Sequence, residues 1–494
     1  MQTSQDTAQV EMITIPKAEY EELKATVMVL QQQLAELRRM IFGSKSERFV
    51  PVQDGQLGLF EDDSQQDSVA VTTEEVTYSR TKVTKEKQHP VRAVLPAHLP
   101  RVEEIIEPKT IAKGSVCIGK EITEVLEYNP AKLFVRKIVR PKYALPKQQG
   151  ITIAELLALP LPKANAGASL LAHICVSKYV DHLPFYRQRQ IFKRQRFQIS
   201  DSTIGGWFSA TARLLEPLYD VLAQKVLTTD YLQADESPIG VQDSHKSGSL
   251  HTGYQWVYHA PVERLVLFRY HNSRGRQAAE EVLHNFSGTL QTDGYKVYQN
   301  LKTNKEIHLI GCMAHARRYF EKALDNDKAR ASYVLSQIQK LYALERKARE
   351  RKADTMLRHR YRTIYAKPIL EEIEAWLKQQ IHLTLPKSSI GKAIAYTINI
   401  WQNLKGYITD GRYEIDNNLA ENTIRPLALG RKNYLFAGSH KAAQKAALFY
   451  SFFATCKINE VEPYAWLTDV LHRIPDHKAN QLEELLPQNW KPQN

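Results

Sequence analysis

The sequence predicts a multidomain α+β protein, and three observations support this prediction. The chain has 494 residues, which is too long for one hydrophobic core, and 43% of them are hydrophobic. The spacing of apolar residues changes along the chain from a helical period to strand-like alternation and back. A polar, linker-like stretch separates the first helical segment from the rest. We therefore expect three or more domains.

The charge of the chain predicts a polyanionic partner. Lysine and arginine number 67 against 54 aspartates and glutamates, which gives a net charge of +13 and a pI near 9.3. Charge alone does not separate nucleic acid from an anionic membrane. The mean hydropathy of −0.42 and the lack of an apolar run long enough to cross a bilayer predict a soluble protein. The first residues lack the basic-then-apolar pattern of a secretory signal, so we expect no membrane partner.

The cysteines predict a reducing cytoplasm and no disulfide framework, because they lie far apart in the sequence. They are Cys117, Cys175, Cys312 and Cys456. Cys312 and His315 form a CxxH pair, but a zinc site needs about four ligands and no second pair is near in sequence. We therefore expect no zinc there. Cys312 is instead expected to be buried at a strand end, with His315 packed near acidic residues.

Residues 1–50 contain an apolar seam in which spacings of three and four residues alternate. Its members are Tyr20, Leu23, Val27, Leu30, Leu34, Leu37 and Ile41. This spacing predicts a coiled-coil dimerisation helix, and the alternative is one amphipathic helix packed on its own domain. Polar residues cover most of the circumference, which favours a partner helix and a homodimer.

Three segments follow the seam. Residues 51–92 are rich in Gln, Ser and Thr with little periodicity, which predicts a flexible linker. Residues 93–150 contain two alternating apolar runs split at Asn129-Pro130, which predicts a small β-rich module with a basic edge. Residues 151–225 are predicted to be helical.

The helical segment 151–225 combines basic and aromatic residues with a second helix start at ISDSTIGGWF. A helix, a short turn and a helix beside a basic surface resemble a helix-turn-helix reader of DNA. A solvated helix face is the alternative. The predicted DNA-binding residues here are Arg187, Arg189, Lys193, Arg194 and Arg196.

Residues 226–325 predict the fold of the central domain. Three strand-like runs in succession indicate an antiparallel meander, and helix, strand, helix, strand and helix follow. This is the order of a ribonuclease-H-like domain, in which the first and fourth strands lie side by side. Asp235 and Asp293, each expected at the end of a strand, would therefore meet although 58 residues separate them (293 − 235).

Residues 326–400 predict a helical and very basic insertion. Between Lys328 and Lys367 there are twelve Lys or Arg and three acids, at 345, 350 and 354. An insertion here explains the gap of 128 residues between Asp293 and Glu421 (421 − 293). A solvated helix pair is the alternative, and the scarcity of acids favours a phosphate-facing surface.

Residues 401–440 are predicted to complete the central domain, and 441–494 to form a helical tail packed on it. Glu421 and Arg425 are four apart and share a helix face, and Arg431 and Lys432 follow a predicted break at Pro426. A surface helix with an ordinary Glu–Arg pair is the alternative.

With Asp235 and Asp293, Glu421 gives three carboxylates, enough to hold two Mg²⁺ (or Mn²⁺) for phosphoryl transfer. Glu421 is preferred to Glu414 and Asp416, because Asp416 and Asn417 are expected to cap the helix and Glu414 precedes it.

Four motifs together resemble the DDE transposases of the insertion sequence 66 family. They are YLQADESPI, LQTDGYKVY, CMAHARRYF and DNNLAENTIRPLALGRKNYLFAGS. The resemblance extends over nearly the whole chain. It implies that Asp235, Asp293 and Glu421 are the DDE triad, and that late basic residues contact phosphate. Those residues are Arg425, Arg431 and Lys432.

The sequence departs from the family in region 93–150. Family members carry a zinc-ribbon-like module with paired cysteines, whereas this region keeps only Cys117. We therefore expect a degenerate module without zinc.

The resulting hypothesis is a DNA transposase of the bacterial cytoplasm, associated with the nucleoid when bound. It would cut the terminal repeats of its element and join them to target DNA, with water and then the freed 3′ hydroxyl as nucleophiles. Companion proteins encoded by the element are further expected partners. Two alternatives stay open: a catalytically silent DNA-binding protein descended from a transposase, and a metal-dependent nuclease without strand transfer.

Overall fold

The computed structural model describes residues 166–243, 249–300 and 306–492, and in addition 16, 26–27, 133, 142–144, 151–153, 159–161 and 164. The linker 51–92, Cys117 and nearly all of the seam and of the module 93–150 lie outside these residues. All helices and strands given below belong to the unit formed by residues 1–46 and 140–494.

The strands form two sheets. A two-stranded antiparallel sheet consists of β1 (Lys142–Ala144) and β2 (Ile151–Ile153). The main sheet has six strands, which are β3 (Tyr231–Gln242), β4 (Leu250–Ala260), β5 (Leu265–His271), β6 (Gly288–Thr292), β7 (Ile307–Gly311) and β8 (Phe436–Ala437).

The main sheet is mixed and runs in the order β5-β4-β3-β6-β7. The pairs β3–β4 and β4–β5 are antiparallel, whereas β3–β6 and β6–β7 are parallel. Strand β8 pairs with the far end of β3, where Gly240 lies opposite Phe436. The prediction that the first and fourth strands of this region lie side by side is confirmed by the β3–β6 pairing.

Helices cover the sheet and outnumber the strands. The α-helices before and within the sheet region are α1 (Ala168–Tyr179), α2 (Phe185–Arg194), α3 (Asp201–Leu227), α4 (Arg276–Leu283), α5 (Lys296–Asn300) and α6 (Met313–Ala323). The next are α7 (Lys328–Glu350), α8 (Thr355–Tyr361), α9 (Lys367–Gln380), α10 (Ser389–Asn399) and α11 (Trp401–Lys405), with a π-helical turn, Arg362–Ala366, between α8 and α9.

The last α-helices are α12 (Asn418–Tyr434), α13 (His440–Ile458) and α14 (Pro463–Arg473). Short 3₁₀ turns occupy Ile381–Leu383, Gly406–Thr409, Ile474–Asp476 and Ala479–Leu485. Ser200 caps α3 by accepting a hydrogen bond from the N–H of Thr203 at 3.0 Å.

Two groups of buried apolar side chains pack on the main sheet. One includes Leu232 of β3 and joins it to α3, α13 and α14, while the other includes Tyr231 and joins it to α6, α7 and α10. Adjacent residues of a strand point to opposite faces, so the two groups lie on opposite sides of the sheet. Ser451 and Thr455 of α13 accept hydrogen bonds from backbone N–H groups of β5, so this C-terminal helix covers the edge strand.

Three local predictions were wrong. The segment predicted to be helical from 151 begins with strand β2, and the first helix among its described residues starts at Ala168. Asp235 lies within β3 rather than at its end, because the strand continues to Gln242. Helix α12 passes through Pro426 without a break. The carbonyl that loses its partner there belongs to Asn422, an exposed residue, so water can replace the missing N–H.

Candidate active site

Two parallel strands bring the two aspartates together. In the β3–β6 register Gln233 lies opposite Gln291. Asp235 and Asp293 each follow their glutamine by two residues, so both aspartates lie just beyond the paired segments of β3 and β6. Asp293 directly follows β6, as predicted. The charge of Asp293 contributes to the raised pKa of Asp235, which agrees with this proximity.

The two glutamines attach the segment before α12 to the sheet. Gln233 Nε2 donates to the carbonyl of Asp416 at 3.0 Å, and its Oε1 accepts from the N–H of Ala420 at 3.2 Å. Gln291 Nε2 donates to the carbonyl of Glu414 at 2.8 Å. All of these groups are buried or partly buried, where hydrogen bonds strongly restrict geometry. The start of α12 is therefore fixed relative to both aspartates.

Tyr231 completes this buried network. Its hydroxyl donates to Gln291 Oε1 at 2.6 Å and accepts from the N–H of Glu414 at 3.0 Å. Gln233 Nε2 also donates to Gln291 Oε1 at 2.9 Å, which links the two strands through side chains. Sequence reasoning missed Tyr231, Gln233 and Gln291. The repeated string LQxD, present as LQAD and LQTD, is the signal that could have found the two glutamines.

The three acids near the start of α12 have different surroundings. Both oxygens of Glu414 accept from Arg358, at 2.9 and 2.8 Å. Asp416 accepts from the hydroxyl of Tyr342 at 2.7 Å and from the N–H of Asn418 at 3.2 Å, so it caps the helix as predicted. Glu421 Oε1, in contrast, is buried and has no hydrogen-bond partner among the described residues.

Asn417 differs from its prediction. It is the N-cap of α12, but its side chain makes no capping hydrogen bond. The residue is 0% exposed, and neither atom of its side-chain amide has a partner within the part of the chain that the structure describes. Its backbone N–H donates to Cys312 Sγ at 3.4 Å.

The CMAHARRYF motif places α6 beside Glu421. Cys312 follows β7, is fully buried and forms the N-cap of α6, as predicted for this cysteine. His315 Nδ1 lies 3.7 Å from Glu421 Oε1, so the prediction that His315 lies near the acids is confirmed. Arg318 Nη2 lies 3.6 Å from Glu421 Oε2. Both distances are too long for hydrogen bonds. Arg318 is a further residue that sequence reasoning did not single out.

Burial and like charge shape the electrostatics of this cluster. The pKa of Asp235 is raised well above its usual range by burial first, then by the charges of Glu236, Asp293 and Glu421. Burial lowers the pKa of the His315 imidazole, while the charges of Glu421 and Asp293 act in the opposite direction. Asp235, Asp293, Glu421 and His315 thus form one electrostatic cluster. Perturbed groups gathered in this way are typical of functional sites.

Glu236 is a second acid on β3 that the sequence analysis did not weigh. Its side chain is 1% exposed and accepts from Arg274 Nε at 2.8 Å and from the Tyr298 hydroxyl at 3.0 Å. These partners satisfy the carboxylate. Tyr396 donates its hydroxyl to the carbonyl of Asp293 at 2.5 Å and thereby holds the chain after β6.

The chemistry of the three predicted carboxylates suits a hard divalent cation. Mg²⁺ prefers oxygen ligands, and Asp235, Asp293 and Glu421 offer carboxylates whose mutual repulsion a cation would relieve. The unpartnered Oε1 of Glu421 is consistent with a role as a ligand. Carboxylates of this kind are the ligands that a hard divalent cation prefers.

The predicted DNA-binding residues of α2 have unequal surroundings. Lys193 and Arg194 are exposed, and so is Arg196 just after the helix. Arg189 is half-buried, donating to the carbonyl of Ile199 at 2.8 Å and pairing with Asp201 at 2.5 Å. Its position supports a structural role.

The predicted phosphate contacts of α12 lie close to α2. Arg187 of α2 donates to the side chain of Asn433 at 2.9 Å. Arg425 and Lys432 are exposed, whereas Arg431 is half-buried and donates to the carbonyl of Pro238. The Arg187–Asn433 contact joins the two basic groups.

Some basic residues of the segment 326–400 form buried ion pairs and hydrogen bonds instead of facing solvent. Arg362 is 2% exposed, binds both oxygens of Glu345 at 2.7 and 2.9 Å, and donates to three backbone carbonyls. Those carbonyls belong to Tyr407, Asp410 and Tyr413. Arg358 links Glu345 to Glu414. The prediction of a phosphate-facing position was wrong for these two arginines. Arg362 pairs with Glu345, and Arg358 pairs with Glu345 and Glu414, so both face acids within the protein.

A mixed sheet flanked by helices, with acidic residues at the neighbouring interior strands β3 and β6, is consistent with the transposase class. Three family models match the chain: Transposase IS66 family over residues 163–445, IS66 C-terminal element over 451–488, and Transposase C of IS166 homeodomain over 29–103. The chain belongs to the transposase IS66 family. None of the described helices has the length and apolar character required to span a bilayer.

Relatives of similar length occur in Sinorhizobium fredii (strain NBRC 101917 / NGR234). Uncharacterized protein y4jD is 32% identical over 495 residues, covering 95% of this chain and 96% of the relative. Uncharacterized protein y4qI is 31% identical over 505 residues, covering 96% of this chain and 92% of the relative. The similarity therefore extends along essentially the full length of these proteins.

Proposed function

We propose that this protein is a DDE-type transposase that cleaves the ends of an insertion element and joins them to target DNA. One observation supports this most directly. Asp235 and Asp293 each follow a glutamine of the β3–β6 pair by two residues, and those glutamines hold the start of the helix that carries Glu421. The rival acids Glu414 and Asp416 are already paired.

In this proposal Asp235, Asp293 and Glu421 hold two Mg²⁺ or Mn²⁺ ions. When bound, the ions stabilise charge on the attacking and leaving oxygens of an in-line displacement at phosphorus. The protein supplies the positions of the three carboxylates. Gln233 and Gln291 are positioning residues, because they join the aspartate strands to α12 through buried hydrogen bonds. Water and then a 3′ hydroxyl serve as the two nucleophiles.

The main sheet is, in this proposal, a ribonuclease-H-like catalytic domain interrupted by the insertion α7–α10. The observed strand order and the parallel β3–β6 pair support that assignment. Helices α1 to α3 would form the helix-turn-helix-like domain that reads DNA. Binding DNA is what a transposase family implies, and the link between Arg187 and Asn433 supports one basic surface shared by α2 and α12.

The first prediction tests the triad. Glu421→Gln keeps the shape of the side chain and removes the charge that a cation needs, so cleavage in Mg²⁺ should fall by at least about 100-fold. Asp235→Asn and Asp293→Asn should behave alike. The assay uses duplexes taken from the DNA flanking the coding region, with end cleavage and strand joining scored on gels. Binding, measured by mobility shift without metal, should be retained.

Glu371→Gln is the matched control, because Glu371 is an exposed glutamate of α9 that pairs only loosely with Lys367, at 4.0 Å. It should cleave at the wild-type rate. Near-normal cleavage by Glu421→Gln would contradict the assignment of the third carboxylate. Cleavage without joining by the wild type would favour the nuclease alternative, and binding without cleavage would favour the silent DNA-binding protein.

A further inference from the structure

Three donors of different chemistry meet at the start of α6. A thiol sulfur, an imidazole nitrogen and a carboxylate oxygen, from Cys312, His315 and Glu421, lie within 4.8 Å of one another. His315 Nδ1 and Glu421 Oε1 are both buried, and neither has a hydrogen-bond partner in the described ranges 166–243, 249–300 and 306–492. At 3.7 Å they face each other without bonding. Buried polar atoms left in this way are rare and need an explanation.

The donor set suits a different ion from the one proposed for the aspartates. Mg²⁺ takes oxygen ligands and avoids sulfur, whereas Zn²⁺ binds thiolate, imidazole and carboxylate together. Three protein ligands with a fourth position left for water make an open zinc site. No zinc was expected at Cys312 and His315 because no further ligand pair lies near them in sequence. The third donor instead comes from 106 residues further along (421 − 315).

The local structure holds the three donors in place before any ion arrives. Cys312 lies at the junction of β7 and α6, and His315 is one turn further along α6. Glu421 is in the first turn of α12, which the buried glutamine network fixes to the sheet. The half-buried side chains of His315 and Glu421 leave a route from solvent, while Cys312 forms the closed end.

Asn417 adds an independent observation beside the sulfur. Its N–H donates to Cys312 Sγ at 3.4 Å, a contact that a thiolate would strengthen. Its side-chain amide is fully buried and also unpartnered among the residues that the structure describes. The polar groups around the sulfur therefore include amide atoms without a hydrogen-bond partner among the described residues.

We propose that Cys312, His315 and Glu421 form a binding site for a thiophilic divalent cation, with Zn²⁺ the ion that fits best. Binding transfers the thiol proton of Cys312 to water and forms bonds from sulfur, nitrogen and oxygen to the ion. The ion competes for Glu421 with the cations that the triad holds, so its binding inhibits DNA cleavage. The proposed cation site does not depend on the proposed function, whereas the proposed inhibition of DNA cleavage rests on it.

The test of binding uses Co²⁺, which replaces Zn²⁺ and reports thiolate ligation by a sulfur-to-metal charge-transfer absorption. Metal-stripped full-length protein should develop this absorption at one equivalent of Co²⁺, and one equivalent of Zn²⁺ should abolish it. Cys312→Ser should lose the band and His315→Ala should weaken Co²⁺ binding by at least about 10-fold, in line with the loss of one ligand. Asp235→Asn, which alters the proposed triad but not this donor set, should keep the band.

Melting curves of each variant show whether it is folded, and His315→Ala gives a second reading if Cys312→Ser is not. A band that persists in folded Cys312→Ser and disappears in Cys117→Ser would overturn the proposal, and so would the lack of any band in the wild type. Adding Zn²⁺ should lower the rate of end cleavage by the wild type and should lower it less in His315→Ala. Each rate is expressed relative to that protein's own rate in Mg²⁺. If the wild type cleaves no DNA, the proposed function fails while the absorption still decides the site.

Discussion

Neutral residues shape the acidic cluster as much as the acids themselves. Gln233 and Gln291 each precede an aspartate by two residues, at the point where β3 and β6 pair. Their amides hydrogen-bond to the backbone at Asp416, Ala420 and Glu414, which leads into the helix of Glu421. The relative position of the three carboxylates therefore depends on hydrogen bonds that no carboxylate makes.

Arg362 is a cation with little exposure and many contacts within the protein. Its guanidinium is almost fully buried, pairs with Glu345 and donates to carbonyls of the segment that leads into α12. Burial alone would raise the pKa of Glu345, but hydrogen bonds and charge from Arg362 and Arg358 leave that pKa below its ordinary value. The pair is thus stable as an ion pair at neutral pH.

Arg362→Met is expected to lower the free energy of unfolding by about 3–5 kcal/mol at neutral pH, because it leaves Glu345 buried with one partner fewer. Urea denaturation measures this change. Glu345 has a lowered pKa in the folded state, so its stabilisation is present above its unfolded pKa and is lost as pH falls through the folded value. The difference between variant and wild type should therefore shrink in acid.

The exposed Arg360 of α8 provides the control, since Arg360→Met removes the same charge from the surface and should change stability by less than about 0.5 kcal/mol. An equal loss in both variants would show that the buried pair is not the cause.

At this scale the sequence predicted the identity of the clustered acids better than their surroundings. Asp235, Asp293 and Glu421 are electrostatic neighbours, and the strand pairing that joins the first two was expected. The buried partners of Arg362 could not be predicted, because a pair 17 residues apart in sequence (362 − 345) depends on how two helices pack. Charge counting treats every arginine as exposed until packing shows otherwise.

At the scale of elements, helices α7–α10, which were predicted to be an insertion, are attached to residues of the proposed site. Tyr342 of α7 donates to Asp416, and Arg358 of α8 binds Glu414 with both nitrogens. Tyr396 of α10 holds the chain at Asp293. The elements between the second and third acids therefore help to position both of them.

Helix α2 is the element for which the DNA prediction is most direct. Affinity for DNA should fall steeply with salt, and Arg194→Ala should flatten the slope of log affinity against log salt by about one unit. Arg194 is exposed on α2, near the Arg187 contact with α12. Binding titrations at several salt concentrations measure the slope.

Arg276 is the matched control for this titration. It is an exposed arginine of α4 that pairs with Glu280 at 2.5 Å and lies outside the predicted DNA-binding set. Arg276→Ala should keep the wild-type slope. An unchanged slope for Arg194→Ala would remove Arg194 from the interface.

Element types were predicted more reliably than element ends. The fifth strand predicted for residues 226–325 is present as β7, Ile307–Gly311. The break at Pro426 was wrong, since packing of Ile424 and Leu427 in the core holds both halves of α12 in line. Tertiary contacts overrode a local signal whose cost is only a few kcal/mol.

At the scale of the whole molecule, the seam from Tyr20 to Ile41 stays a prediction of self-association. Val27 is the member of the seam that the structure describes, and it is helical and 46% exposed. This exposure is consistent with a seam that packs on a partner helix. Replacing Leu30 and Leu34 together by lysine would put like charges into the seam and should halve the mass measured by sedimentation.

Gln32→Lys places one lysine outside the seam and should leave the mass measured by sedimentation unchanged. If the double lysine variant keeps the wild-type mass, the seam packs within its own chain instead.

The long separation between the second and third carboxylates also has a consequence during synthesis. Asp293 leaves the ribosome 128 residues before Glu421 (421 − 293). At translation rates of about 5–20 residues per second, that interval lasts roughly 6–26 s. Throughout it the nascent chain has two acids of the proposed triad but neither the third nor the helix that aligns it. Under the proposed function, a newly made copy therefore gains its third carboxylate only after the segment carrying Glu421 has emerged and docked.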